Sequence, residues 1–307
     1  MRISNGMMNT NHLNSIQNNL QRVDKENQRI VTGRKVNKIS DDPFNTARIL
    51  NMRNEVKSVE QFEKNCDEGI EWMNQTDNAL DQLGKITSDI KKLLIESGNG
   101  IRTDEDLDKI KNNIDTLMKQ MVDALNTSHG GDYIFSGTDT DEAPVTYEVD
   151  QITGAITIKI SDDLDPNKMD NNLELDLGSG VSGNYNTTLK DIFGSGDPFK
   201  DLNDLSKELA VRDDDDKKLS TEYLDKMEKL ISNISGARAQ NGAKTNHFEA
   251  LKEKNGDDLV VMKEALSKKQ DADYATTLTK LKEAEFAYTA TLKTTSQFLN
   301  NSILNYI

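Results

Sequence analysis

Residues 49–93 read ILNMRNEVKSVEQFEKNCDEGIEWMNQTDNALDQLGKITSDIKKL, and their apolar side chains recur with the period of a helix seam. Ile49, Met52, Val56, Val59, Cys66, Ile70, Met73, Leu80, Leu83, Ile86, Ile90 and Leu93 keep a 3.5-residue beat. Glu63 and Asp77 fill two of the seam slots with polar groups. About 50 residues rising about 1.5 Å each make a rod of roughly 75 Å, longer than one compact domain houses. Working outward, Ser97-Gly98-Asn99-Gly100 breaks the rod on its C-terminal side. A third helix follows through Leu107, Ile110, Ile114, Leu117, Met121 and Leu125, expected to fold back on the second.

On the N-terminal side, Leu13, Ile16, Leu20, Val23, Asn27 and Ile30 step by three and four, a coiled-coil seam with one polar position at Asn27. Gly33 and the cluster Ser40-Asp41-Asp42-Pro43 end that helix. Ser40 or Asp41 is expected to cap the next helix, with Pro43 in its first turn.

The middle of the chain has a different texture. From about Gly130 to Asp197 it is rich in Gly, Asp, Thr and Ser, and Ile156, Ile158 and Ile160 alternate with polar residues. Gln151–Ile156 reads as two short strands about a turn containing Gly154. Helical periodicity returns from about Leu202. Met227, Leu230, Ile234, Ala237, Phe248, Leu251, Leu259, Met262 and Leu266 form one stripe, and Tyr274, Leu278, Leu281, Tyr288, Leu292, Leu299, Ile303 and Tyr306 another. A lone amphipathic terminal helix is marginal in water and needs a partner for its stripe. The fold class expected is mainly α: a long antiparallel helical bundle or coiled coil formed by both chain termini, with a small β-rich central insertion. Such a chain is built to assemble.

Composition agrees. Of 307 residues only 5% are aromatic and 30% are charged, which suits helices packed along thin seams better than a thick globular core. The net charge of −15 keeps a monomer soluble and repels nucleic acid and anionic membranes, so neither is expected as a partner. The opening Met1–Gly6 reads as no secretory signal peptide, and no apolar run approaches the roughly 20 residues of a spanning helix.

The candidate chemistry is thin. Asp41 and Asp42 sit at a helix start, where capping explains paired carboxylates better than a cation does. The run Asp213–Asp216 before Lys217 reads as a solvated loop, and Asp257-Asp258 as a solvated helix side. His12, His129 and His247 have no zinc spacing. Cys66, the single cysteine, falls on the seam between Val59 and Ile70 and reads as a structural thiol. No phosphate-binding glycine motif occurs. No catalytic residue, metal or cofactor is expected, and the chain is not read as an enzyme.

The arms carry a specific resemblance. Met1-Arg2-Ile3-Ser4, then Thr32-Gly33-Arg34-Lys35-Val36 and Ser40-Asp41-Asp42-Pro43, resemble the start of the bacterial flagellin superfamily. Trp72–Leu80 is similar to its central helix, and Gly236–Ala243 with Asn246 and Phe248 to its returning helix. These stretches cover both arms, roughly two-thirds of the chain. Met1–Ser4, Asp132–Asp141 with Pro144, and the ending Ser302–Ile307 look more like the hook-associated protein 3 branch than like filament flagellin. Ala143 and Val145 depart from that branch, which often has a bulkier apolar residue there.

The resemblance implies three layers. Residues 1–40 and 268–307 would form an inner terminal coiled coil, 41–130 and 200–267 a helical core bundle, and 131–199 a β-rich outer insertion. It implies a structural subunit at the hook–filament junction, self-assembling into a ring between another hook-associated protein and flagellin. Such a protein is secreted through the flagellar export channel, with a cytosolic export chaperone, and ends extracellular in the flagellum. Leu13, Ile16, Leu20 and Val23, with Leu292, Leu299, Ile303 and Tyr306, are the expected assembly stripes. Arg34, Asp41, Asp42, Pro43 and Arg238 are the expected structural motif between inner and outer layers. The alternatives are filament flagellin, a non-flagellar coiled-coil adaptor or tail-fibre component, and an enzyme carried on the insertion.

Overall fold

The computed structural model describes residues 5–98, 104–151, 154–162, 164–194, 197–211 and 216–304. The chain runs through α1 (Asn5–Thr32), a 3-10 turn (Ile39–Asp41), α2 (Pro43–Gly98) and α3 (Asp104–Leu125). The strands β1 (Ser128–His129), β2 (Asp132–Tyr133), β3 (Val145–Val149) and β4 (Ile156–Ile160) follow, then α4 (Pro166–Met169), β5 (Glu174–Gly178), β6 (Val181–Asn184) and α5 (Leu189–Phe193). Helices α6 (Lys200–Val211), α7 (Asp216–Gln270) and α8 (Tyr274–Leu304) complete it. The fold is mainly α, with long terminal helices packing on each other and, among the described residues, three small antiparallel hairpins in the middle. Asn99–Gly100, the turn residues Ile152 and Thr153, Ser195-Gly196 and Asp213–Asp215 lie outside the described residues.

Two units can be distinguished: Met1–Ser58 with Asp257–Ile307, here the terminal unit, and Val59–Gly256, here the central unit. In the central unit α2 and α7 run antiparallel, tied by Lys91–Glu228 (2.7 Å), Arg238–Asp81 (2.7 Å), Asn241 Nδ2 to Met73 O (2.8 Å) and Lys252–Asp67 (2.6 Å). The expected return of the third helix is present. Leu80, Leu83, Ile90 and Leu94 of α2 share one core with Ile110, Ile114, Met118 and Met121 of α3, Leu202 and Leu205 of α6, and Met227 and Ile234 of α7. Buried Thr76 and Thr87 donate their hydroxyls back to Trp72 O and Leu83 O, so helix threonines enter this core without orphaned oxygens.

A second, smaller core holds Cys66, Met73, Leu177 and Phe248. Phe248 lies where glycines admit it. A Cβ on Gly69 would fall 2.5 Å from its Cε1, and one on Gly183 would fall 2.7 Å from Leu177 Cδ1. Asn65 and Asn255 donate to Asp176 O and Leu177 O, which fastens β5 to the helix pair (2.7 and 2.9 Å). Burial pushes the Cys66 thiol up, so this cysteine is a packing residue, as its seam position implied.

The β3–β4 hairpin brackets the expected turn, with Gly154 at φ 66°. Its edges are closed by asparagine side chains. Asn203 on α6 accepts from Ile158 N (2.7 Å) and donates to Ile158 O (2.8 Å), while Ser206 accepts from Ile156 N (2.8 Å). Asn126 does the same at Val145, with distances of 3.1 and 2.7 Å. A side-chain amide thus stands where a third strand would otherwise pair, which blunts the edge against other chains.

Candidate assembly interface

Within the terminal unit α1 and α8 run antiparallel, joined by Asn19 Nδ2 to Thr291 Oγ1 (2.8 Å). The less exposed positions of α1 include His12, Ile16, Asn19, Val23, Glu26 and Ile30, and those of α8 include Thr277, Leu281, Ala284, Tyr288, Thr291 and Thr295. Both sets step by three and four. This register corrects part of the expected seam: Leu13, Leu20 and Asn27 are one position off it and stand exposed, and so do Tyr274, Leu278 and Leu292 on α8. Ile16, Val23 and Ile30 face inward as expected. The reason lies in the two stripes of α1. His12, Asn19 and Glu26 occupy half of the inner seam, and the larger apolar residues beside them lie outside the pair.

The seam is also polar and incompletely satisfied. Glu26 Oε2, Arg29 Nε and Thr295 Oγ1 are buried with no hydrogen-bond partner among the described residues. Leu13 is 59% exposed, Leu20 50%, Phe286 76% and Leu292 40%. Leu299 and Ile303 lie in α8, beyond the residues whose side chains are described, and Tyr306 lies outside the described residues.

Short connectors join α1 to α2 and α7 to α8, and together they form a junction, here the elbow. Gly33, at φ 67°, ends α1 in the left-handed region that suits glycine. The two connectors then bond to each other: Lys35 N to Gln270 O (2.8 Å), Ala272 N to Gly33 O (2.7 Å), and an antiparallel bridge between Arg34 and Asp271. Lys35 Nζ donates to Lys268 O (2.6 Å), and Arg53 donates twice to Gln270 Oε1 (2.8 and 2.6 Å).

The cap of α2 is Asp42 rather than Ser40 or Asp41. Asp42 Oδ1 accepts from Asn45 N at 3.0 Å, and Asp41 sits in the 3-10 turn, paired with Lys25 at 2.9 Å. Hydrogen bonding from Asn45 holds the Asp42 carboxyl below its ordinary value, and the bond from Lys25 does the same for Asp41. Pro43 opens α2, as expected. Asp273 plays the matching part for α8. It accepts from the Thr276 hydroxyl (2.6 Å) and Ala275 N (3.0 Å), which lower its pKa.

Arg238, in the central unit, grips Asp77 through Nε (2.9 Å) and Nη2 (3.0 Å) and Asp81 through Nη1 (2.7 Å). The fork from α7 onto two carboxylates one turn apart on α2 sets the register of that pair. The hydrogen bond to Asp77 raises the guanidinium pKa further. Sequence reasoning singled out Arg238 and missed both partners, although Asp77 and Asp81 have the i, i+4 spacing that puts them on one helix face. Among the described residues no group of three His, Cys, Asp or Glu side chains could hold a metal ion, and no helix is long and apolar enough to cross a membrane.

Comparison with known proteins meets this geometry from outside. Residues 3–140 match the family described as the bacterial flagellin N-terminal helical region. The chain is similar to flagellar hook-associated protein 3 of Escherichia coli, 23% identical over 287 residues that cover 91% of this chain and 90% of the relative. It is similar to the flagellin of Bacillus subtilis, 25% identical over 257 residues covering 81% and 80%. In fold it resembles hook-associated protein 3 of Legionella pneumophila at a TM-score of 0.59 and 13% identity, covering 72% of this chain and 98% of that one. In sequence and architecture, this chain is similar to the flagellins and hook-associated proteins of the bacterial flagellum.

Proposed function

We propose that this chain is the structural subunit joining the flagellar hook to its filament, and that it assembles through its terminal helices. The observation that carries this reading is the exposed apolar surface of the terminal unit. Of the eighteen large apolar side chains that stand exposed among the described residues, fourteen belong to that unit. Burying a Leu or Phe side chain is worth about 1.5–3 kcal/mol. Exposed side chains such as Leu13, Leu20, Phe286 and Leu292 therefore supply a strong drive to pack against neighbouring copies.

In this reading the copies ring the distal hook end above another hook-associated protein and offer flagellin a surface on which to polymerise. The chain reaches that place through the flagellar export apparatus, escorted by a cytosolic chaperone, and works outside the cell. Its role is mechanical and steric, not catalytic. The layers expected above, 1–40 with 268–307, 41–130 with 200–267, and 131–199, are the proposed division of labour between inner coiled coil, bundle and outward insertion. Arg34, Asp41, Asp42 and Arg238 are proposed to orient those layers. Likeness to hook-associated protein 3 over nine-tenths of both chains supports the junction over the filament. Likeness to flagellin over four-fifths keeps the filament protein as the second reading.

A deletion strain tests it, using electron microscopy of cells and an immunoblot of the medium for flagellin. Bare hooks with flagellin released into the medium are expected. Filaments of normal length contradict the proposal, and bare hooks with no flagellin anywhere would make this chain the filament protein itself.

A further inference from the structure

Charge is divided unequally between the two units. The terminal unit carries 16 Lys and Arg against 12 Asp and Glu, a net +4, whereas the central unit carries 22 against 41, a net −19. A chain of −15 overall therefore has a basic end, and its cations gather at the elbow. A cleft of about 510 Å³ opens there, lined by Arg29, Lys35, Lys269 and Lys280 together with Asp41, Asp42 and Asp273.

The carboxylates of this cleft are already engaged. Asp41 holds Lys25, Asp42 caps α2 through Asn45, and Asp273 caps α8 through Ala275 and Thr276. The cations are less well matched. Lys269 and Lys280 meet no carboxylate within 4 Å among the described residues, and the Lys35 ammonium donates to a neutral carbonyl, Lys268 O, while its charge also acts on Asp273. Arg29 holds Glu26 through Nη1 at 2.8 Å, yet its Nε is buried without a partner. The first turns of two long helices, α2 and α8, add their positive ends to the same space.

We propose that the elbow cleft receives carboxylate side chains from the central unit of a second copy, forming an electrostatic joint between neighbouring subunits. This deepens the self-assembly reading above and rests on it. Complementarity identifies the occupant: a cleft in which Lys269 and Lys280 meet no carboxylate within 4 Å, on a unit of net +4, and a central unit of net −19 on every copy. Such a joint sets register and orientation more than raw affinity. It also weakens with salt, because the screening length falls from about 8 Å at 0.15 M to about 3 Å at 1 M.

The test mixes unlabelled and nitrogen-15-labelled full-length chains at high concentration and couples Lys to carboxylate with a zero-length carbodiimide. Mass spectrometry should find mixed-isotope peptides joining Lys269 or Lys280 to Asp or Glu of residues 59–256, with yields falling several-fold at high salt. Mixed-isotope links from these lysines to carboxylates of the terminal unit, or no mixed-isotope links from them, overturn the joint. In cells, Lys269→Glu with Lys280→Glu should cut incorporation into the flagellum by about tenfold or more. The pair Lys282→Glu with Lys293→Glu, an equal charge change elsewhere on α8, should incorporate within about twofold of wild type. Equal losses in both pairs would show that only net charge matters and would remove the cleft from the account. Normal filaments in the deletion strain would defeat the junction reading while leaving the crosslinks to speak for themselves.

Discussion

In the central unit the α2–α7 pair is roofed by α3, α6 and the β5–β6 hairpin, and side chains such as Leu80, Leu83, Ile114 and Met121 are fully buried. In the terminal unit α1 faces α8, and only Ile49, Val56 and Leu259 are buried among its described apolar side chains. Both regions are written in the same heptad language. They differ in how much of the apolar surface one chain can cover by itself. A third helix and a hairpin close the central seam, while the terminal seam is half polar and leaves its larger apolar residues outside. One region is finished at the level of the monomer, and the other is finished by assembly.

That contrast can be broken by mutation. Placing a carboxylate on the terminal stripe, with Leu13→Asp and Leu20→Asp, should remove incorporation into the flagellum altogether. Both residues are exposed in the monomer, so central-unit stability should change by less than about 0.5 kcal/mol, read by denaturation of Trp72 fluorescence. Incorporation at the wild-type level would place the interface elsewhere. The converse change is Phe248→Ala, which empties the pocket made by Gly69 and Gly183 and should cost the central unit about 3–5 kcal/mol in the same assay.

Smaller effects sharpen the picture. Asn203→Ala strips the buried backbone of Ile158 of both partners and should cost about 1–3 kcal/mol, with faster hydrogen exchange confined to β4 and α6. Smallest is the acid response of the terminal unit. Hydrogen bonds hold Asp42 and Asp273 below their ordinary values, so the stability they contribute is full above about pH 4 and is lost as pH falls through their lowered pKa values. In assembled protein, pepsin digestion at falling pH should therefore cut around the elbow before it cuts the central unit. Asp42→Asn should flatten that dependence.

Much of this was legible in the sequence, and what was not has identifiable causes. Helix periodicity found α2, α3, α7 and α8, because a seam buried on one face leaves a strong repeat. The register of α1 was not legible, since α1 carries two adjacent apolar stripes and periodicity alone does not say which one meets α8. Leu13 and Leu20 looked like inner-seam residues for the same reason that they make a good interface. Asp42 was passed over as the cap in favour of its neighbours, a one-residue choice that local sequence leaves open. The asparagines that close the β3–β4 edges, and the Asp77–Arg238–Asp81 fork, join residues tens to more than a hundred positions apart, which no local pattern reports. The elbow clasp joins Gly33, Lys35 and Arg53 to residues more than two hundred positions away, partly through backbone groups, and no local pattern reports such pairings.

The most direct test of the contrast is amide hydrogen exchange on the full chain, free and then assembled. The account predicts slow exchange in the central unit in both states. In the terminal unit, residues 5–58 and 257–304 should exchange fast in the free chain and slowly in the assembly. A free chain whose terminal unit is already as protected as its central unit would contradict the claim that assembly completes it.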